Sequence, residues 1–232
     1  TGHGPVDYDH DIVFGQAGFD LLVSERVRAG FMFGYGSSDV SLAGYGGSAP
    51  LDGNVGLAAV YGTYAWDGIY FDLVAGYHFS DWTFTESVWR DRSSYDVDGF
   101  IGAVELGYGM RIGEQLTLTP WGQLIYQTIS ADTDADVPSS AWVGRLGLRA
   151  STEFEGVSPY LSAGLITDFG SGGHVVQGPE RLSVRPYGTA FEASVGLEAG
   201  LGETVAFYGE VGGLVGSTTS GFNGSAGIRV RW

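Results

Sequence analysis

From about residue 11 to its end the chain repeats one device: strand-length stretches with an apolar side chain at every second position, separated by turns. Successive side chains of an extended strand point to opposite faces, so a period of two predicts strands and argues against the 3.6-residue period of amphipathic helices. Between Arg26 and Gly36 one parity carries Val27, Ala29, Phe31, Phe33 and Tyr35, while the other carries Arg28, Gly30, Met32, Gly34 and Gly36. At 69–79, Phe71, Leu73, Ala75, Tyr77 and Phe79 oppose Tyr70, Asp72, Val74, Gly76 and His78. At 142–150, Trp142, Gly144, Leu146, Leu148 and Ala150 oppose Val143, Arg145, Gly147 and Arg149. The last stretch sets Phe222, Gly224, Ala226, Ile228, Val230 and Trp232 against Asn223, Ser225, Gly227, Arg229 and Arg231.

Such alternation also fits a soluble antiparallel sheet with one wet face. Two features favour a membrane. The connections alternate in kind, with tight turns near Ser24–Glu25, Asp67–Gly68, Gly113–Glu114, Glu155–Gly156 and Gly202–Glu203, and longer stretches at 38–52, 80–96, 129–139 and 170–185. Short turns on one side and long loops on the other are the outer-membrane pattern. Aromatics of the apolar parity also gather at strand ends, Tyr35, Phe79, Tyr126 and Trp142 on the long-loop side and Phe71, Tyr108, Phe207 and Trp232 on the turn side. These suit the two headgroup zones. The opposite parity, rich in Gly and charge, would pack a poor dry core.

The fold expected is therefore all-β: a transmembrane, antiparallel, up-and-down β-barrel. No run of 18 apolar residues offers a spanning helix, and 40 Gly with 32 Phe, Tyr and Trp (13, 13 and 6) suit strands better than helices. Eleven strands are read, at about 11–22, 26–37, 53–66, 69–80, 96–111, 115–128, 140–151, 157–168, 186–200, 204–216 and 222–232. Bacterial single-chain barrels have even strand numbers, so twelve are expected, with the first strand upstream of Thr1. Residues 1–10 read as an N-terminal segment or loop, and 11–232 as the barrel, in one domain. No basic n-region with an apolar run opens the sequence.

Charge narrows the partners. All eleven basic residues are Arg, and against 27 acids the formal net charge is −16. Phosphate backbones need a positive footprint, so nucleic acid is not an expected partner. Without Cys there is no disulfide, thiol nucleophile or Cys-based zinc site.

The polar parity supplies the candidate inward residues: Asp20, Arg28, Asp72, Glu105, Gln123, Arg145, Arg149, Glu192, Glu198, Glu210, Arg229 and Arg231. Acids and Arg nearly balance there, so most of the net charge belongs to loops and the N-terminal stretch. Two roles suit such a wall: a hydrated lining past which an unfolded chain slides, and cross-strand ion pairs that brace the barrel. Asp132-Thr-Asp-Ala-Asp136 begins like a calcium loop but lacks Gly at the sixth position and Glu at the twelfth, and reads as a solvated acidic loop. Loop acids, including Asp39, Asp81, Asp91, Asp96, Asp98, Asp134 and Asp136, could share divalent cations with lipopolysaccharide phosphates. His3, His10, His78 and His174 show no metal spacing, no Gly-x-Ser-x-Gly occurs, and without Lys there is no Ser–Lys dyad or Schiff base. An inward His78 with Asp72 on the same wall is the single starting point for hydrolytic chemistry. The sequence implies no cofactor and no enzyme. Gly44-Tyr-Gly-Gly47, with no helix after it, reads as an external loop.

Several stretches, in order, resemble the autotransporter β-domain of type V secretion. Gly15-Gln-Ala-Gly-Phe-Asp20 resembles that family's second strand, followed by the Gly30/Gly34-Tyr35 strand, and Gly62-Thr-Tyr-Ala-Trp-Asp-Gly-Ile-Tyr-Phe-Asp72 resembles its fourth and fifth. Glu105-Leu-Gly-Tyr108, Pro120-Trp-Gly-Gln-Leu-Ile-Tyr126, Gly144-Arg-Leu-Gly-Leu-Arg149, Pro159-Tyr160 and Tyr208-Gly-Glu210 follow in place. The ending Ser225-Ala-Gly-Ile-Arg-Val-Arg-Trp232 is similar to the terminal signal read by the barrel-assembly machinery, with Ser225, Gly227, Val230 and Trp232 at its marked positions; physically it is a strand offered for β-augmentation. The resemblance implies a monomeric twelve-strand barrel of a Gram-negative outer membrane, in contact with lipid and lipopolysaccharide. It implies that a passenger domain fused at the N-terminus crosses to the cell surface through its pore, which a helix preceding the first strand usually occupies. Neither that helix nor the Asn-Asn cleavage junction of some members is seen. A free-standing small barrel, serving as solute channel or as structural or adhesive surface protein, stays open as the alternative.

Overall fold

The computed structural model describes residues 7–44, 47–85, 92–131, 139–169, 173–177, 180–184, 188–202, 204–216 and 219–230. The strands are β1 (Asp7–Ser24), β2 (Val27–Gly44), β3 (Gly47–Trp66), β4 (Ile69–Thr85), β5 (Arg92–Tyr108), β6 (Met110–Ile112), β7 (Leu116–Ala131), β8 (Ser139–Thr152), β9 (Val157–Asp168), β10 (Gly173–Gln177), β11 (Glu180–Val184), β12 (Thr189–Leu201), β13 (Val205–Gly216) and β14 (Ser220–Val230). A 12-stranded sheet runs β1-β2-β3-β4-β5-β7-β8-β9-β12-β13-β14, with β6 continuing β5 along β7. Every neighbour is antiparallel and next along the meander, so the sheet is up-and-down and curls into a half-barrel. All eleven expected strands are present in it. Among the described residues no strand pairs the outer edge of β1 or of β14.

The turns obey simple backbone chemistry. Asp67 and Gly68 have φ of 50° and 81°, and Glu155 and Gly156 have 48° and 80°. Two successive residues at positive φ make the primed two-residue turn that matches strand twist, and Gly takes that conformation without strain.

Where the structure departs from expectation, it does so at the far ends of the strands. The 38–52 stretch is mostly paired strand, Ser38↔Gly53 through Gly44↔Gly47. β4 and β5 likewise pair out to Thr85↔Arg92. Beyond the bilayer neither face of a strand needs to be apolar, so apolar alternation fades there while backbone pairing persists. A reading keyed to alternation therefore ends those strands too soon. For the same reason β1 begins at Asp7, inside the stretch expected to be loop, pairing Asp7 with Ala43 and His10 with Val40. The 170–185 connection contains the hairpin β10–β11. Residues 132–136, with the acidic run, and Asp91 lie outside the described residues, as do His3 and the 45–46 tip between Gly44 and Gly47.

The two faces of the sheet differ as the alternation requires. Phe31, Phe33, Tyr35, Leu73, Tyr77, Phe79, Leu146 and Leu148 stand exposed on the outer face, Leu146 at 70%. In water such a contiguous apolar surface would drive aggregation; facing lipid it needs no cover. On the turn side Phe71, Tyr108 and Phe207 are also exposed, while Trp232 lies outside the described residues. Toward the long connections Tyr126 and Trp142 pack with ring centroids 4.7 Å apart and planes tilted by 42°. Among the described residues a small apolar cluster packs inward, Val143, Ile166 and Ala190 with Ile125 and Leu214 against them. The sequence reading did not anticipate this apolar patch within the polar face.

The inward glycines have a packing reason. Tyr61, Tyr70, Trp121, Tyr160 and Tyr208 lie flat against the neighbouring strand, over Gly30, Gly107, Gly147, Gly196 and Gly227, each its direct register partner. A Cβ on any of these glycines would fall within 2.8 Å of the aromatic ring or its hydroxyl. The rings thereby fill the inner wall without narrowing the lumen as upright side chains would.

Candidate functional site

The inner face carries a connected polar network built by register. Asp72, Glu105, Gln123 and Arg145 are successive cross-strand partners on β4, β5, β7 and β8, and Thr63 and Arg28 extend the row across β3 to β2. Such partners have Cβ atoms about 4.5–5.5 Å apart, close enough for side chains to bond directly.

At its centre the Glu105 carboxylate accepts from the Tyr70 hydroxyl at 2.8 Å and from Gln123 Nε2 at 3.0 Å. Arg145 donates to Gln123 Oε1 at 2.8 Å and, through two nitrogens, to both oxygens of Glu192 at 3.0 and 2.8 Å. Its guanidinium also lies 5.2 Å from the Trp121 ring centroid. Five strands, β4, β5, β7, β8 and β12, are thus tied by one chain of side chains. The bidentate Arg–carboxylate fork is the geometry that gives ion pairs both strength and direction.

Three smaller clusters flank it. Arg28 meets Asp20 at 3.3 Å, and the Tyr61 hydroxyl donates to Asp20 at 3.0 Å. The Tyr160 hydroxyl donates to Glu210, and the Arg149 guanidinium lies 5.0 Å from the Tyr160 ring. Arg229 donates to Glu198 at 2.9 Å. All these ion pairs remain partly solvated, which limits each to at most about 1 kcal/mol and fits a wetted wall.

Of the twelve residues anticipated on this face, Asp20, Arg28, Glu105, Gln123, Arg145, Arg149, Glu192, Glu198, Glu210 and Arg229 enter these contacts. Asp72 sits beside Glu105 in register, and Arg231 lies outside the described residues. Tyr61, Tyr70 and Tyr160 were not singled out beforehand, yet they donate to three of the carboxylates. Their parity, shared with Thr63, Asp72 and Ser158, is the signal that finds them.

His78 is not placed for catalysis with Asp72. Six residues apart on one strand, they are about 20 Å distant, and His78 Nε2 lies 3.3 Å from the Thr128 carbonyl oxygen. Farther out, His10 Nε2 lies 2.7 Å from Ser38 Oγ, a side chain with no solvent exposure. Among the described residues no three of His, Asp and Glu converge as metal ligands.

At the C-terminal end Ser225 pairs with Glu210, Gly227 with Tyr208, and Val230 with Val205. The Tyr208 ring fills the space above Gly227. Trp232 lies outside the described residues.

Comparison with known proteins agrees with this architecture. Three solved structures superpose closely. The transport unit of the autotransporter AIDA-I from Escherichia coli matches with a TM-score of 0.86 at 17% identity, over 99% of this chain and 87% of that one. The translocator domain of autotransporter NalP from Neisseria meningitidis matches at 0.79 and 18%, over 100% and 83%. The beta domain of the Bordetella autotransporter BrkA matches at 0.73 and 20%, over 97% and 92%. At such identities these likenesses concern the fold. No curated protein matches the sequence. The family profile described as autotransporter beta-domain matches residues 1–212, and the chain belongs to that family of Gram-negative outer-membrane β-barrels.

Proposed function

We propose that this barrel anchors an N-terminal passenger domain in the outer membrane and carries it to the cell surface, and that it does so as a transport unit and not as an enzyme. The observation that carries this reading is the inner wall. Its charges are matched to one another, Arg145 with Glu192, Arg28 with Asp20 and Arg229 with Glu198, so a passing chain meets hydration and few free charges on which to stall. The same contacts brace the barrel. In this reading the twelve inward residues line the pore, and Ser225, Gly227, Val230 and Trp232 present the last strand to the assembly machinery by β-augmentation. Lipid and lipopolysaccharide contact the outer face of a monomeric barrel.

A direct test fuses a signal peptide and a small epitope-tagged reporter to the N-terminus of the chain in a Gram-negative host. Exposure of the reporter to external protease, with the barrel protected, is the expected result. A reporter that stays periplasmic while the barrel inserts normally would rule translocation out and leave a free-standing barrel.

A further inference from the structure

A cavity of about 690 Å³ opens at the turn end of the wall, lined by Trp66, Asp67, Ile69, Leu106, Tyr108 and Pro120 among others. Its volume lies within the roughly 300–1,000 Å³ of small-ligand sites. Pro120 lies at the opening. The register Gly107↔Trp121 and Met110↔Leu118, carried through the gap between β5 and β6, sets Pro120 opposite Tyr108. The Gly109 N–H donates to the Gly68 carbonyl at 2.8 Å. Because backbone groups alternate in direction along a strand, Tyr108 turns its own carbonyl toward Pro120. Pro120 has no N–H, so the ladder offers that carbonyl no donor.

In a membrane wall such an acceptor calls for a donor from elsewhere. The Asp67 carboxylate on the same rim is a second acceptor, and a negative one. On the other side the Arg26 guanidinium lies 6.0 Å from the Trp66 ring centroid, and the Arg26 carbonyl accepts from the Ala65 N–H at 2.8 Å, which holds the two turns together. Below these polar groups Ile69 and Leu106 face outward, Leu106 at 57% exposure. Acceptors, a cation and an apolar slot thus lie together at one level of the membrane.

We infer that this groove seats one phospholipid of the turn-side leaflet whose headgroup carries a primary ammonium beside its phosphate. The ammonium donates to the Tyr108 carbonyl and Asp67, the phosphate faces Arg26, and the upper acyl chains lie on Leu106 and Ile69. A trimethylammonium headgroup has the same net charge but no N–H, so it cannot satisfy either acceptor.

The test is native mass spectrometry of the detergent-purified protein, offered equimolar phosphatidylethanolamine and phosphatidylcholine of identical acyl chains. The expected result is retention of phosphatidylethanolamine roughly tenfold over phosphatidylcholine, the scale of one charge-assisted hydrogen bond. Asp67→Asn, tolerated at positive φ, and Pro120→Ala, which returns the missing N–H, should each bring the ratio toward one. Heat-modifiable migration of both variants on gels checks that they still fold. Equal retention by the native protein, or a preference unchanged in both folded variants, overturns the inference. So does a protein dimer whose formation, and not lipid, occupies the groove.

Discussion

Glu192 on β12 reaches Arg145 on β8 across the intervening strand β9, because its register partner there, Gly164, has no side chain in the way. A Cβ at position 164 would stand 3.2 Å from Glu192 Oε1 and 2.8 Å from the Leu146 carbonyl oxygen. Gly164→Val should therefore part the fork and strain the wall at once, costing about 2–4 kcal/mol. On a barrel of this size that is a fall of roughly 4–16 °C in unfolding temperature, read by tryptophan fluorescence in detergent. An unchanged transition would show that the fork does not brace the wall.

Bracing and transport can be separated at the smaller clusters. Arg229→Ala leaves Glu198 without its partner, and Glu210→Ala leaves Tyr160 without its acceptor. Each should lower the unfolding temperature by a few degrees, in keeping with about 1 kcal/mol for a partly exposed pair, while surface display of a fused reporter changes little. A display defect with unaltered melting contradicts the bracing role and assigns these groups to the transported chain.

The alternation that made the strands legible also placed Asp20, Glu105, Arg145 and Glu192 on one face, since parity alone decides which side of a sheet a residue meets. It did not show which of them bond. Arg145 pairs with Glu192 and not with Glu105, which likewise lies across one intervening strand, because Gln123 stands between, donating to Glu105 and accepting from Arg145. Nor did it show why so many inward positions are Gly. That answer needs the register, which sets Trp121 over Gly147 and Tyr160 over Gly196. The strand extensions were illegible for a different reason: along Ser37–Val40 and Asp52–Asn54 backbone pairing continues where the apolar alternation has ended.

Those ring-on-glycine contacts make a graded series. Gly147→Val and Gly196→Val would push a β-branched side chain into Trp121 and Tyr160, whose nearest atoms lie 2.5 Å from the added Cβ. Gly221→Ala meets nothing within 4 Å. The first two should cost on the order of 1–3 kcal/mol as overpacking, and slow the appearance of the heat-modifiable folded band. Gly221→Ala should be neutral, and equal losses at all three sites would mean that glycine's backbone freedom, not the space above it, is what matters.

On the outer face, beyond the aromatic belt, the register creates the opposite of a brace. Asp11, Asp39 and Asp52 are successive cross-strand partners on β1, β2 and β3, and Asp81 faces Asp96 on β4 and β5. Like charges directly opposite are destabilising by about 0.2–1 kcal/mol per pair. Asp39 has two such partners, so Asp39→Asn should raise the unfolding temperature, with the gain shrinking in high salt as screening removes the repulsion. The proposed contact with lipopolysaccharide predicts that divalent cations shared with its phosphates relieve the same row in membranes. Chelator should then lower the unfolding temperature of the native protein in lipopolysaccharide-containing vesicles and leave Asp39→Asn less affected. A chelator effect equal in both would place the cations elsewhere on the barrel, and none in either would show that salt screening alone suffices.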